Sequence, residues 1–154
     1  MGDEQLRAGQ HTVTAVMKAC PRPIPPDLPL HEVLARFSKE GNQPLVVIGP
    51  GGVFVGVITP MDLVEAISSS MGLKSKRMIS GFERFLKGTA QTAGDLIADE
   101  RMVVQDHARI TEAISVMERT RSSFIIVVNE QNFAIGCVEL SDIISYLIQP
   151  GSQY

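Results

Sequence analysis

The chain has 154 residues, with 14 basic side chains against 17 acidic ones for a formal charge of −3, and it is 44% hydrophobic and 20% charged. That length and apolar content suit one packed domain or two small ones sharing a core. The near-balanced charge, with a pI of about 5.6, lacks the basic field that holds nucleic acid by phosphate neutralisation, and the longest apolar run, Phe124 to Val128, is far short of a membrane span.

Residues 1–11 read as an N-terminal arm in which Asp3 and Glu4 stand where a secretory leader needs basic residues followed by an apolar stretch. A cytoplasmic location is the expectation. From Thr14 to Pro29 the prolines Pro21, Pro23, Pro25, Pro26 and Pro29 keep the chain extended, with room for one short strand. Leu30, Val33, Leu34 and Phe37 then follow the i, i+3, i+4, i+7 spacing of an amphipathic helix. Leu45 to Ile48 is a buried-strand run, Gly49-Pro50-Gly51-Gly52 a hairpin turn and Val53 to Ile58 the returning strand. The glycine-rich stretch lacks the Gly-Lys-Ser/Thr of a phosphate loop. Thr59 as N-cap, Pro60 at the first helical position and Asp62 in the first turn open a second helix.

Residues 69–91 read as a basic linker, helical by the spacing of Met78, Phe82, Phe85 and Leu86; from Ser68 to Gln91, Lys74, Lys76, Arg77, Arg84 and Lys87 face one acid, Glu83. A solvated helix with an apolar stripe on the domain accounts for such a charge run without any ligand. Beyond it the whole pattern returns at an offset of 80 residues. Ile110, Ala113, Ile114 and Met117 repeat the first helix, Ile125 to Val128 the strand, Asn129 to Asn132 the turn and Phe133 to Val138 the return strand. Ile143, Ile144 and Leu147 repeat Leu63, Val64 and Ile67, and Gly56 and Asp62 recur as Gly136 and Asp142. Residues 12–68 and 92–149 are therefore two copies of one α+β unit, with 150–154 a tail. Each copy is too small to bury its sheet alone, so the pair is expected to pack about a pseudo-twofold axis.

Few residues invite chemistry. Cys20 and Cys137 lie 117 positions apart, in no CxxC or Cys/His cluster, which suggests neither a zinc site nor a disulfide framework. His11, His31 and His107 show no metal-pair spacing, and no Ser, Thr or Cys has a discernible base, so neither a metal nor enzyme activity is expected.

The two segments Gly56-Val-Ile-Thr-Pro-Met-Asp62-Leu and Gly136-Cys-Val-Glu-Leu-Ser-Asp142-Ile, in their helix-strand-turn-strand-helix context, resemble the Gly-apolar-apolar-Thr/Ser-x-x-Asp-apolar pattern of a tandem pair of cystathionine-β-synthase (CBS) domains, a Bateman module. The resemblance implies two βαββα-type repeats and a regulatory module, with no required cofactor, that binds AMP, ADP, ATP or S-adenosylmethionine in clefts between repeats. Its output would act in trans on an unidentified regulated protein, because the repeats and linker account for nearly the whole sequence. In the first site the resemblance implies Asp62 on the ribose hydroxyls with Thr59 beside it, Gly94, Leu96, Ile97 and Ala98 flanking the adenine, and Ser122, Ser123 and Phe124 at the cleft's entry. The second site would use Ser141 and Asp142 with Thr14, Met17, Lys18 and Ala19, and Asn42, Gln43 and Pro44. Glu139 stands there in place of the family's Thr/Ser; a carboxylate would repel phosphate, so this site is expected to be empty or to take an uncharged adenosyl group. The alternative is a dimerisation scaffold with vestigial pockets, the helices led by Leu30 and Leu63 and their counterparts forming a homodimer face.

Overall fold

The computed structural model describes residues 11–20, 23–40, 43–70, 92–97 and 102–149. The expected arm (but for His11), most of the basic linker and the C-terminal tail lie outside these residues. The described elements are α1 (Leu30–Glu40), β1 (Leu45–Ile48), β2 (Phe54–Ile58), α2 (Pro60–Ser70), β3 (Val103–Gln105), α3 (Ile110–Thr120), β4 (Phe124–Val128), β5 (Ala134–Glu139) and α4 (Leu140–Leu147). Short 3-10 turns occupy Val13–Ala15 and Ala93–Leu96. The helix and strand order read from the periodicity is therefore present in both copies.

Two compact units form, and they do not follow the repeats along the chain. One joins the described residues of 1–20 and 101–154 with 51–54; the other joins those of 21–50 and 55–100. The reason lies in matched backbone exchanges. In the first unit Thr12 bridges Arg109 and Val13 N–H donates to Ala108 O at 2.9 Å; in the second, Thr92 bridges Pro29 and Ala93 N–H donates to Leu28 O at 2.9 Å. Each repeat thus lends its leading segment to the body of the other.

The cores show the same equivalence. Val13, Val104, Ile110, Ala113, Met117, Ile125, Val127, Val138 and Ile143 are buried together in the first unit. Ala93, Ile24, Leu30, Val33, Phe37, Leu45, Val47 and Ile58, with Leu63 packed against them, hold the same places in the second. Burial of this apolar area supplies the main drive for folding, at about 25 cal/mol per Å². Ile114 departs from its expected core position: it is 40% exposed, at the edge of the α3 stripe rather than on its centre line.

The strand expected ahead of each helix differs between copies. In the first unit β3 pairs parallel to β4, and β4 pairs antiparallel to β5 with a register shift between Val127 and Val128. In the second, β1 and β2 form a two-stranded sheet, and among the described residues Ile24 bridges Val47 in parallel as an isolated contact. Ile24 lies between Pro23 and Pro25, which have no N–H to continue a ladder. Gly51 and Gly52, at φ of 77° and 91°, make the first hairpin turn, and Asn132, at φ of 64°, plays this part in the second. Val53 pairs with Phe133, and Phe54 N–H donates to Asn132 O at 2.8 Å.

Candidate functional site

In the second unit, β2 delivers Thr59 to the start of α2. Thr59 N–H donates to Asp62 Oδ2 at 2.8 Å and Asp62 N–H donates to Thr59 Oγ1 at 3.1 Å, a reciprocal box that satisfies two backbone donors at the helix start. Capping thus gives Asp62 a structural task of its own. One bond uses only part of the carboxylate's acceptor capacity, and the first turn of α2 places partial positive charge beside it. Gly94 is held by its N–H to Pro26 O at 2.8 Å, Leu96 is buried, and the Ile97 side chain lies against Gly56, where an added Cβ would overlap Ile97 Cγ2. Thr59, Asp62, Gly94, Leu96 and Ile97 therefore belong to one unit, and Ala98 lies outside the described residues.

Ser122, Ser123 and Phe124 belong to the first unit and do local work there. Ser122 Oγ donates to Phe124 O at 2.9 Å and accepts from Phe124 N–H at 3.1 Å, while Ser123 O accepts from Leu140 N–H at 2.9 Å.

The equivalent helix start in the first unit is α4. Glu139 is its N-cap: Glu139 N–H donates to Asp142 Oδ2 at 2.9 Å, and the Glu139 side chain accepts from the Asp142 N–H. A longer side chain thus performs the cap that Thr59 performs in the other copy. Lys18 Nζ stands 3.4 Å from both Glu139 Oε2 and Asp142 Oδ2, one cation beside two carboxylates. Burial lowers the Lys18 pKa, but the charges of Glu139 and Asp142 and their hydrogen bonds outweigh it and raise the ammonium above its ordinary value of 10.5. At 45% exposure the ion pairs are well solvated, so their net worth is small.

Lys18 is carried there by its backbone, which exchanges two hydrogen bonds with Cys137, at 2.9 and 2.8 Å. Met17 Sδ would stand 2.9 Å from a Cβ added at Gly136, so Gly136 makes room for this segment as Gly56 does for Ile97. Ala19 O accepts from Cys137 Sγ at 3.7 Å, and Thr14 is exposed with its hydroxyl 2.6 Å from that of Thr12. Ser141 lies on the exposed face of the first α4 turn. Gln43 and Pro44 belong to the other unit, and Asn42 lies outside the described residues.

The resemblance grouped Lys18 with Glu139 and Asp142 without foreseeing their ion pairs, and sequence reasoning missed the juxtaposition of Cys20 with Cys137. Neither has a local signal; only the exchange of leading segments, with position 18 set opposite 137, brings them together. Among the described residues no group of three or more His, Cys, Asp or Glu side chains is arranged to hold a metal ion, and no helix is long and apolar enough to cross a membrane.

The CBS domain family model matches the sequence twice, over residues 13–69 and 93–149. No curated protein matches the chain. Among solved structures, CBSX2 in complex with AMP is 22% identical, with a TM-score of 0.68 over 90% of this chain and 97% of that one. The CBS domain of the bacterial CNNM/CorC family Mg2+ transporter in complex with ATP is 19% identical, with a TM-score of 0.66 over 95% and 93%. The CBS domain pair of MJ0100, in complex with 5′-methylthioadenosine and S-adenosyl-L-methionine, is 15% identical, with a TM-score of 0.64 over 88% and 98%. At these identities the likeness is one of fold.

Proposed function

Since the chain belongs to the CBS domain family, matched by both of its repeats, we propose that it is a regulatory module that senses an adenine nucleotide or related adenosyl ligand and acts on a partner protein. The observation that carries this reading is the capped helix start at Thr59 and Asp62, with the Gly94–Ile97 segment in the same unit. A carboxylate that spends one acceptor on its own cap can still take both donors of a ribose cis-diol as charge-assisted bonds. That AMP and ATP are bound by similar folds supports the choice of ligand class.

The Glu139 and Asp142 site takes an uncharged adenosyl group rather than a phosphorylated one in this reading. Two carboxylates face one ammonium there, so the local balance stays negative. The 5′-methylthioadenosine named for MJ0100 is of this chemical kind.

Calorimetric titration with AMP, ADP, ATP and S-adenosylmethionine tests the proposal, and a folded chain that binds none of them overturns it. Asp62→Ala is expected to weaken binding by about 1.5–3 kcal/mol, roughly tenfold to a hundredfold. Thr59→Ala removes the cap while keeping the carboxylate, and separates loss of a ligand contact from loss of the helix start. Glu139→Thr is expected to admit a phosphorylated ligand at the other site. Regulation further requires that the ligand bind two conformations or assemblies unequally.

A second reading, a homodimerising scaffold, is favoured by apolar side chains left outside the cores. Met61 and Val64 on α2, and Leu140, Ile144 and Ile148 in and just after α4, are 44–63% exposed. Leu30 is buried and Leu63 packs on the core, so within each unit it is the exposed apolar side chains of these helices that such contacts would use. Sedimentation of Ile144→Lys against the unaltered chain tests it; an unchanged mass removes this reading.

A further inference from the structure

Cys20 and Cys137 are 117 positions apart in sequence yet neighbours in the unit they share. The Lys18 and Cys137 backbones are clamped by two hydrogen bonds, at 2.9 and 2.8 Å, and Cys20 follows two residues later. Cys137 Sγ lies 3.7 Å from the carbonyl of Ala19, the residue before Cys20, which brings the two thiols close enough to act on each other's ionisation. Both are free thiols, Cys137 fully buried and Cys20 half-buried.

Their environments give them different chemical roles. The Cys137 S–H hydrogen bond stabilises a Cys20 thiolate and, against the opposing effect of burial, holds the Cys20 pKa below its ordinary value of 9.0. The same hydrogen bond, reinforced by burial, pushes Cys137 far up. Nucleophilicity resides in the thiolate, and attack needs access. Cys20 is favoured over Cys137 on both counts.

We propose that Cys20 and Cys137 form an oxidisable dithiol, converted to an intramolecular disulfide by small disulfides of the glutathione class. The Cys20 thiolate attacks one sulfur of the small disulfide, forming a mixed disulfide and releasing one small thiolate. Cys137 then gives its proton to that thiolate and attacks Cys20 Sγ, forming the Cys20–Cys137 bond and releasing the second small thiolate, which takes up the proton Cys20 had lost. Two electrons pass from the protein to the small disulfide, which leaves as two thiols. The new bond pins the Thr14–Cys20 segment to β5 beside Lys18, Glu139 and Asp142. Folding favours it because the native contacts already hold together the ends of a long loop, whose closure in the unfolded chain costs entropy.

The full chain is equilibrated with mixtures of reduced and oxidised glutathione, then denatured in acid, alkylated and weighed intact. Both alkylatable thiols are expected to vanish together in the monomer, with a Cys20–Cys137 cross-linked peptide after digestion. The same oxidation in urea is expected to be at least about tenfold less favourable, by the loop-closure argument. Cys20→Ser, at the half-buried position, is expected to abolish the cross-link, and Cys137→Ala to trap one glutathione on Cys20. Four results on the unaltered chain would each overturn the proposal, whatever the variants do: thiols that stay alkylatable throughout, oxidation that stops at glutathione adducts, cross-links only between chains, or no advantage of the folded chain over the unfolded one.

Discussion

Gly136→Ala should destabilise the chain through one backbone contact. Gly136 has no positive φ, so alanine meets no dihedral strain there and the effect is steric. An added Cβ would lie 2.9 Å from Lys18 O, 2.9 Å from Met17 Sδ and 3.3 Å from Met17 Cγ. The Met17 thioether can swing aside, since three rotatable bonds make it adaptable. Lys18 O cannot move alone, because it accepts from Cys137 N–H at 2.8 Å and the Lys18 N–H returns a bond to Cys137. Relief therefore displaces the whole bridge by a few tenths of an ångström. Overpacking of this kind costs about 1–3 kcal/mol, and removing a strand glycine returns about 0.5–1 kcal/mol through the unfolded chain. The balance is a net loss centred near about 1 kcal/mol and reaching about 2.5 kcal/mol, a fall in Tm of roughly 2–4 °C per kcal/mol for a chain of this size. Gly56→Ala is the companion variant: its Cβ would overlap Cγ2 of Ile97, a stiff β-branched side chain packed against the second core, so it should cost at least as much. Urea titration read by the midpoint at unchanged slope measures both variants. If either variant were as stable as the unaltered chain, the steric argument would fail. Gly136→Ala should also make the Cys20–Cys137 disulfide harder to form, since the same displacement parts the thiols.

Lys18→Met should cost only about 0.5 kcal/mol at neutral pH and low salt, as solvated ion pairs do. The Lys18 pKa is raised on folding, so its contribution is present below the ordinary lysine value and is lost as pH rises through the higher folded one. The stability difference between the two chains should accordingly shrink in strong alkali and in high salt; a difference indifferent to both would trace to packing of the lysine stem. Thr59→Ala and Glu139→Ala each remove an N-cap and should each cost about 1 kcal/mol in the same titration, and a loss near zero would mean that water replaces the cap. Ile125→Ala, at a fully buried β4 position in the first core, should cost about 2–5 kcal/mol by calorimetry or urea titration. A loss below about 1 kcal/mol would show that this core collapses around the gap.

Much of the fold was legible because the repeat samples each local rule twice. The helical spacing of Leu30, Val33 and Phe37 and of Ile110, Ala113 and Met117 marks stripes that are buried, and the β-branched runs at 45–48 and 125–128 are buried strands. Turn chemistry at Gly51, Gly52 and Asn132 was equally local, since it answers to backbone dihedrals within a few residues. Thr59 and Asp62 could be read as a helix start for the same reason, their hydrogen bonds spanning three positions. The charge at Glu139 was only half legible: its neighbour Asp142 is close in sequence, whereas its counter-charge Lys18 is 121 positions away.

By itself, then, the sequence determined the type and order of the elements, their buried faces and the helix starts, because these depend on periodicity and on contacts a few residues apart. Periodicity and spacing left open which copy's leading segment completes which body; the resemblance implied it, and the tertiary structure shows it. The bridges of Thr12 with Arg109 and of Thr92 with Pro29 are backbone bonds without side-chain specificity, and no residue type announces them. With that exchange came the setting of Lys18 between two carboxylates and the meeting of Cys20 with Cys137. Long-range contacts of this kind are selected by the burial of whole apolar faces, Val13 in one core and Ala93 in the other, and the polar and thiol groups they bring together are carried along by that packing.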